Sequence, residues 1–469
     1  MTEPPAHGAE SVTAEQGTSP NGATPAATPA ATPAGAPVEQ AIEPAATERV
    51  AVPLVEPREG VPEPVTTPAE LAVAVARLAA GTGPIAVDAE RASGYRYGQR
   101  AYLVQLRRQG SGTVLVDPVP LPDLSALGAA IAAVEWVLHA ANQDLPCLAE
   151  LGMHPRTLFD TELAGRLLGY EKVGLGAMVE SQLGLALEKG HSAADWSTRP
   201  LPHSWLAYAA LDVEVLVELR DLLEEQLRAA GKLDWAREEF AAVAAAPPAP
   251  PRTDPWRRTS GIHRVRGRRA LATVRALWES RDALARQRDI APGRVLPDSA
   301  IVAAATANPA TAEELAALPV FSGRQQLRQL RRWFGAVAAA RELPDEALPL
   351  SAVPSDGPPP PNRWADRDPD AAARLAAARA ALGALSDLHV LPLENLLSPE
   401  LVRRLAWSPP PHTSRAGIAA ALTVGGARRW QVGLTAAPLA EALRARAPDA
   451  LADAPDALAD AAEPEPAAG

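Results

Sequence analysis

The sequence predicts an α/β domain built on a mixed sheet and followed by two all-helical domains, and three observations carry that prediction. Strand-like runs at 84–87, 102–106 and 113–116 follow one another too closely for parallel crossovers, which need a dozen or more residues, so they form an antiparallel meander. A fourth apolar run, Trp136 to His139, comes only after a helical stretch and can therefore return parallel to the first. Proline-rich punctuation at 244–251 and 355–362 then marks off two regions whose apolar spacing is helical throughout.

Taken in order, residues 1–48 include the repeat Ala23-Thr-Pro-Ala-Ala-Thr-Pro-Ala-Ala-Thr-Pro-Ala, which cannot bury a core and reads as a disordered tail. The α/β domain occupies 49–245, with its three strands, a helix over 124–133, the fourth strand and a long helical run ending near Phe240. A linker at 246–261 precedes a helical domain at 262–345. Within it one helix ends before Pro292, Asp298 is placed to cap a helix over 299–307, and further helices fall near 311–317 and 323–340. After a proline-rich linker at 346–364, a second helical domain spans 365–450. Asp368 with Pro369, and Ser398 with Pro399, each place a capping residue before a proline at the first helical position. Residues 451–469 form an acidic Pro/Ala tail.

Composition removes several classes of function. The single cysteine, Cys147, cannot form an intramolecular disulfide, and no Cys/His spacing suggests zinc. No apolar stretch is long enough to span a bilayer and the N-terminus lacks a secretory pattern, so a cytoplasmic protein with no membrane association is expected. The 47% hydrophobic content is rich in alanine, with 4% aromatics, so the helices must pack largely through Ala and Leu.

Chemistry concentrates in three stretches. Pro84-Ile-Ala-Val-Asp-Ala-Glu90 ends an apolar strand in two acids spaced i, i+2, which places Asp88 and Glu90 on one face. Like charges held so close repel unless a cation lies between them, and hard oxygen ligands suit Mg²⁺ or Mn²⁺. Asp144 falls where a strand gives way to a helix. There it reads equally as an N-cap ahead of Pro146, and the two roles are compatible. Tyr208 and Asp212 stand at i, i+4 on an Ala/Leu-rich helix, sharing a face on which an Asp is costly to bury alone and a Tyr could simply be core.

In this order the three stretches resemble the tyrosine-containing branch of the DEDD superfamily of 3′–5′ exonucleases, and bacterial ribonuclease D in particular. Ala101-Tyr-Leu-Val-Gln-Leu106 is similar to that family's second strand, Leu138-His-Ala-Ala-Asn-Gln-Asp144-Leu to its second motif, and Ala194-Asp-Trp-Ser-Thr-Arg-Pro-Leu201 to the segment before its third. Ala89, between the first two acids, departs from the Thr often found there. The resemblance implies a ribonuclease H-like fold and hydrolysis that releases nucleoside 5′-monophosphates. It also implies that Asp88, Glu90 and Asp212 hold one metal ion, that Asp88 bridges to a second supported by Asp144, and that Tyr208 orients the attacking water. Gln105 and His139 occupy positions that would contact the terminal nucleotide, with packing as the other reading of each.

The segment Leu277-Trp-Glu-Ser-Arg-Asp-Ala-Leu through Pro297-Asp298 resembles the HRDC domain that follows the catalytic domain in ribonuclease D, and the region beyond 365 resembles that family's second, more divergent HRDC-like domain. The net charge of −11 argues against a nucleic-acid enzyme until its distribution is considered. Between Arg252 and Arg294 twelve arginines face four acids, which predicts a phosphate-binding surface, and Arg324, Arg328, Arg331 and Arg332 extend it. The implied activity is trimming of RNA 3′ ends, with tRNA precursors or other structured RNAs as substrates and two Mg²⁺ or Mn²⁺ ions as cofactors. Two rivals remain at this stage: an exonuclease acting mainly on DNA, and an inert nucleic-acid-binding scaffold.

Overall fold

The computed structural model describes residues 51–188, 190–191, 193–352 and 357–445. The tails expected over 1–48 and 451–469 lie outside the described residues. A short strand, β1 (Val52–Leu54), precedes α1 (Pro68–Ala80), whose start is fixed reciprocally: Thr67 Oγ accepts from Glu70 N, and the Glu70 carboxylate accepts from Thr67 N.

The expected meander is present as β2 (Thr82–Arg91), β3 (Ala101–Gln109) and β4 (Gly112–Val116), with β3 antiparallel to both neighbours. After α2 (Ser125–Ile131), strand β5 (Glu135–Leu138) returns parallel to β2, with Ile85 opposite Trp136. Helix α3 (Leu145–Glu150) then leads to β6 (Thr157–Asp160), parallel to β5, completing a mixed sheet in the order β4-β3-β2-β5-β6. Two helices, α4 (Thr161–Leu168) and α5 (Leu175–Leu183), precede β7 (Leu185–Leu187), which pairs with β1 in a small sheet of its own.

Three helices replace the expected long run: α6 (His203–Glu214), α7 (Leu216–Ala229) and α8 (Leu233–Ala244). Helix α6 lies across β2, β3 and β4, which is what brings its residues to the acids of β2.

The first helical region consists of α9 (Arg268–Arg288), α10 (Pro292–Val295), α11 (Asp298–Ala307), α12 (Ala312–Ala316), α13 (Arg324–Arg328) and α14 (Leu330–Glu342). It owns a core around Leu277, Ile301, Phe321 and Trp333. Two expectations change here. Asp298 does not cap α11 but begins it, because its carboxylate is taken by Arg281 at 2.6 Å and by the Ser260 amide at 2.7 Å. The helix expected over 323–340 breaks at Gln329, where φ and ψ of −106° and 6° leave the helical range.

The second helical region holds α15 (Trp364–Arg367), α16 (Pro369–His389), α17 (Leu393–Leu396), α18 (Pro399–Trp407), α19 (Arg415–Val424) and α20 (Arg429–Ala442). Asp368 caps α16 as expected, accepting from Ala371 N at 2.8 Å. Ser398 makes no such bond before α18. No described helix is long and apolar enough to cross a membrane.

Candidate active site

Strand β2 and helix α6 meet at one end of the sheet, and there Asp88, Glu90 and Asp212 converge, with one carboxylate oxygen from each within 4.8 Å of the others. The i, i+2 spacing on β2 and the i, i+4 spacing on α6 each place their functional pair on one face, and α6 lying over β2 joins those faces. The three acids line a cleft of about 700 Å³ together with Asp144, Tyr208, His139 and Arg91.

Electrostatics set this cleft apart from the rest of the surface. Burial pushes the Asp88 carboxyl up to about 6 and the Asp144 carboxyl up to about 8, with Arg91 opposing the rise in both. Glu90 and Asp212 are also raised, first by burial and then by their acidic neighbours. Four carboxylates that resist joint ionisation form a site that a divalent cation would relieve. Burial likewise raises Tyr208, whose hydroxyl donates to Asp212, so the phenol stays protonated.

Asp144 occupies the position before α3 without capping it. Its backbone, at φ −104° and ψ −30°, is not in the extended region of a capping residue, and Pro146 offers no amide. The carboxylate instead faces the cleft, 3.4 Å from Arg91 Nη2. Gln105 sits apart from these groups. It is fully buried, with neither side-chain polar atom bonded, and lies outside the cleft lining. Its partners in register are Asp88 and Leu115, and the neighbouring Leu103 and Leu115 pack with Leu206 of α6, which roofs that part of β3. His139 does line the cleft. Its Nδ1 lies 2.9 Å from Thr161 Oγ1, and burial lowers it to about 4, so it is neutral near pH 7.

Three contributors escaped the sequence reading. Asp160 accepts from the amides of Ala140 and Ala141 at 3.1 and 2.9 Å, and from Leu163 at 3.1 Å. It thereby pins the turn that delivers Asp144, a turn that includes Ala140 at φ 57°. Trp196, fully buried, places its ring 5.3 Å from Trp205 and 6.5 Å from Tyr208, backing the helix face that presents the tyrosine. Arg91, immediately after Glu90, is the third. The Asp160 role had a weak signal in Phe159-Asp160-Thr161, an acid placed to cap a helix; the others depend on tertiary contacts.

Comparison with known proteins bears on the whole chain. A family profile described as a 3′-5′ exonuclease matches residues 62–228, HRDC matches 270–337, and a 3′ to 5′ exonuclease C-terminal domain matches 357–443. Ribonuclease D of Gluconacetobacter diazotrophicus is 34% identical over 364 residues, which cover 76% of this chain and 89% of that one. The chain belongs to the ribonuclease D family. The ribonuclease D of Acidiphilium cryptum is 35% identical over 309 residues, covering 63% of this chain and 76% of that one. Among solved structures, a protein from Bifidobacterium adolescentis is similar with a TM-score of 0.76 at 38% identity, covering 84% of this chain and 100% of that one. Escherichia coli RNase D is similar with a TM-score of 0.59 at 26% identity, covering 81% of this chain and 98% of that one. As a member of that family the protein is a 3′–5′ exoribonuclease that depends on divalent metal, with an α/β catalytic domain of the ribonuclease H-like kind followed by helical HRDC-type modules.

Proposed function

We propose that Asp88, Glu90 and Asp212 hold one divalent ion, that Asp88 is shared with a second ion supported by Asp144, and that both are Mg²⁺ or Mn²⁺. The observation that carries this reading is the gathering of three carboxylates from two elements within 4.8 Å, with the Arg91 guanidinium 3.4 Å from Asp144 beside them. Donors that are all oxygen, and all acidic, suit these hard ions. Bound there, they would acidify the attacking water and stabilise the leaving 3′ oxygen. Tyr208, kept protonated and donating to Asp212, has oxygen lone pairs free to accept from that water and orient it. It is a positioner rather than a base, since a phenol raised above its ordinary value near ~10 does not ionise at neutral pH.

The substrate in this reading is a single-stranded RNA 3′ end, whose last nucleotide fits a cleft of about 700 Å³ and contacts His139. The body of a tRNA precursor or another structured RNA lies against the helical modules. Support comes from the Escherichia coli relative, described as an exoribonuclease involved in structured RNA processing. The chain divides, in this view, into a catalytic domain at 49–245 and helical domains at 262–345 and 365–450.

Within the surface the sequence suggested, the two groups of arginines are not equivalent. Eight of the twelve arginines between 252 and 294 are occupied internally: Arg268 and Arg269 bind carbonyls at the end of their own module, Arg281 binds Asp298, and Arg286 and Arg294 bind residues 97 and 94. Arg324, Arg328, Arg331 and Arg332 are exposed and make no ion pair among the described residues, so they are the better phosphate ligands.

The test is a 5′-labelled RNA and a matched DNA, each with a free 3′ end, incubated with Mg²⁺, Mn²⁺ or EDTA. A metal-dependent ladder shortening from the 3′ end, faster on RNA, is expected. Asp212→Asn is expected to lose the ladder while binding RNA with near-normal affinity. Turnover at the wild-type rate by this variant would sink the ligand assignment, and equal rates on DNA would remove the RNA preference.

A further inference from the structure

Arg91 should not reach the cleft. Along a regular strand Asp88 and Glu90 face one way and Arg91 the other. The β2–β3 register, however, is irregular between Glu90 and Arg91: Glu90 pairs with Leu103, but Arg91 pairs with Ala101 rather than Tyr102. The extra residue is Tyr102 of β3, and such an irregularity bends and twists the pair locally. Beside it the Arg91 guanidinium lines the cleft and opposes Asp144.

The contact has the geometry of a loose pair. At 3.4 Å it is longer than the ~2.7–2.9 Å of a charge-assisted hydrogen bond, and the Arg91 side chain keeps 27% of its surface exposed while Asp144 keeps 8%. The other arginine lining the cleft, Arg166, is committed, its Nε and Nη2 both donating to Glu162 at 2.9 and 2.6 Å. His139 is neutral. Among the described residues of the cleft, Arg91 is therefore the cation that is free to change partners.

We propose that Arg91 is an exchangeable counter-ion: it neutralises Asp144 when the site holds no metal, and moves to a non-bridging oxygen of the terminal phosphodiester when a divalent ion takes Asp144. This rests on Asp144 supporting an ion, as set out above. The exchange gives one side chain two duties. It suppresses repulsion among the acids of the free enzyme, and it then supplies the planar fork that recognises phosphate. Metal and Arg91 compete for one carboxylate, whereas metal and RNA cooperate.

The experiment uses the full chain as wild type, Arg91→Met, Arg91→Lys and Asp212→Asn. Calorimetric titration with Mn²⁺ in the absence of RNA is the first readout, and KM and kcat on 5′-labelled single-stranded RNA the second. Arg91→Met is expected to bind Mn²⁺ several-fold more tightly, since no cation has to be displaced, while its KM rises by about tenfold or more. Arg91→Lys should fall between, keeping the charge and losing the fork. Mn²⁺ affinity that is unchanged or weaker in Arg91→Met, or an unchanged KM, overturns the proposal; should that variant melt early, Arg91→Gln gives the same two readouts. Turnover by Asp212→Asn would instead sink the underlying metal assignment. A dead Asp212→Asn beside an Arg91→Met indistinguishable from wild type would remove Arg91 alone.

Discussion

The two helical modules of this chain look alike in sequence and are built into the molecule in opposite ways. The first has its own core, against which, among the described hydrophobic residues of the catalytic domain, Tyr97 alone packs. Its docking is polar: Tyr97 Oη bonds Asp282 and Arg286, the Ala291 amide bonds Tyr95 O at 2.9 Å, and Arg294 stacks on the Tyr95 ring. All of these partners sit in the loop between β2 and β3. The second module has no core of its own. Trp364, Leu375, Leu382, Leu405 and Leu439 belong to one continuous cluster with Trp136, Leu148 and Leu219 of the catalytic domain.

The seam of that fusion is specific. Lys232 is buried and its Nζ donates to Leu167 O at 2.7 Å on one side and to His389 O at 2.6 Å on the other. Trp235 of α8 stacks on Trp430 of α20 at 5.0 Å, and the Trp430 indole donates to Glu239 at 3.1 Å. Gly169, in the left-handed region at φ 83°, lets Val390 approach so closely that an added Cβ would lie 2.6 Å from its carbonyl oxygen. The difference teaches that one module is part of the catalytic body, whereas the other is an arm held against the β2–β3 loop.

Removing the seam should have the largest effect. Trp430→Ala deletes a nearly buried ring, leaves Glu239 with Arg428 as its remaining partner and exposes Trp235, and costs about 3–5 kcal/mol in chemical denaturation. If the modules are built as described, this loss lowers the melting of catalytic and second helical modules together and leaves the first untouched. Separate melting of the second module, followed by segment-resolved hydrogen exchange, would break the comparison.

A pH series sharpens it further. Asp88 and Asp144, raised to about 6 and about 8 in the folded protein, titrate near ~4 when unfolded, so between those values the folded state binds more protons than the unfolded one. Stability in EDTA is therefore greatest below about pH 4 as far as these groups are concerned, and falls as pH rises to about 8. Divalent metal should restore it, with the increment growing across that window. Scanning calorimetry with and without Mn²⁺ reads the effect directly. The transition that responds should contain the catalytic domain and second module, and the first module's should stay fixed.

Legibility in the sequence followed the range of the interactions. Asp88 with Glu90, and Tyr208 with Asp212, were readable because strand and helix periods alone put each pair on one face. The order of the four strands β4-β3-β2-β5 was readable from loop lengths, whereas β6 and the small β1–β7 sheet were not. Arg91 was not readable, because alternation assigns it to the face opposite Glu90, and its contact with Asp144 is made only in the folded chain, beside an irregularity in the β2–β3 pairing. Gln105 was placed by resemblance alone, and nothing local reveals that it is fully buried, opposite Asp88, on a strand packed by α6. Fusion of the second module was equally hidden, since it depends on a lysine meeting a carbonyl 157 positions away.

The arm's arginines test the same distinction at the smallest scale. Arg268 and Arg269 hold α9 to carbonyls of Leu348 and Leu343, so replacing them should cost stability before it costs RNA binding. The side chains of Arg324, Arg328, Arg331 and Arg332 are exposed and make no ion pair among the described residues, so replacing all four with alanine should leave the melting temperature within about a degree or two. Its effect should appear in RNA affinity and, more diagnostically, in salt dependence: each lost phosphate contact lowers the slope of log K against log salt by about 0.7 for a single strand. Titrations of wild type and the fourfold variant between low and physiological salt measure that slope. A slope unchanged by the loss of four arginines would mean that RNA runs elsewhere, and that the arm serves the β2–β3 loop it grips rather than the substrate.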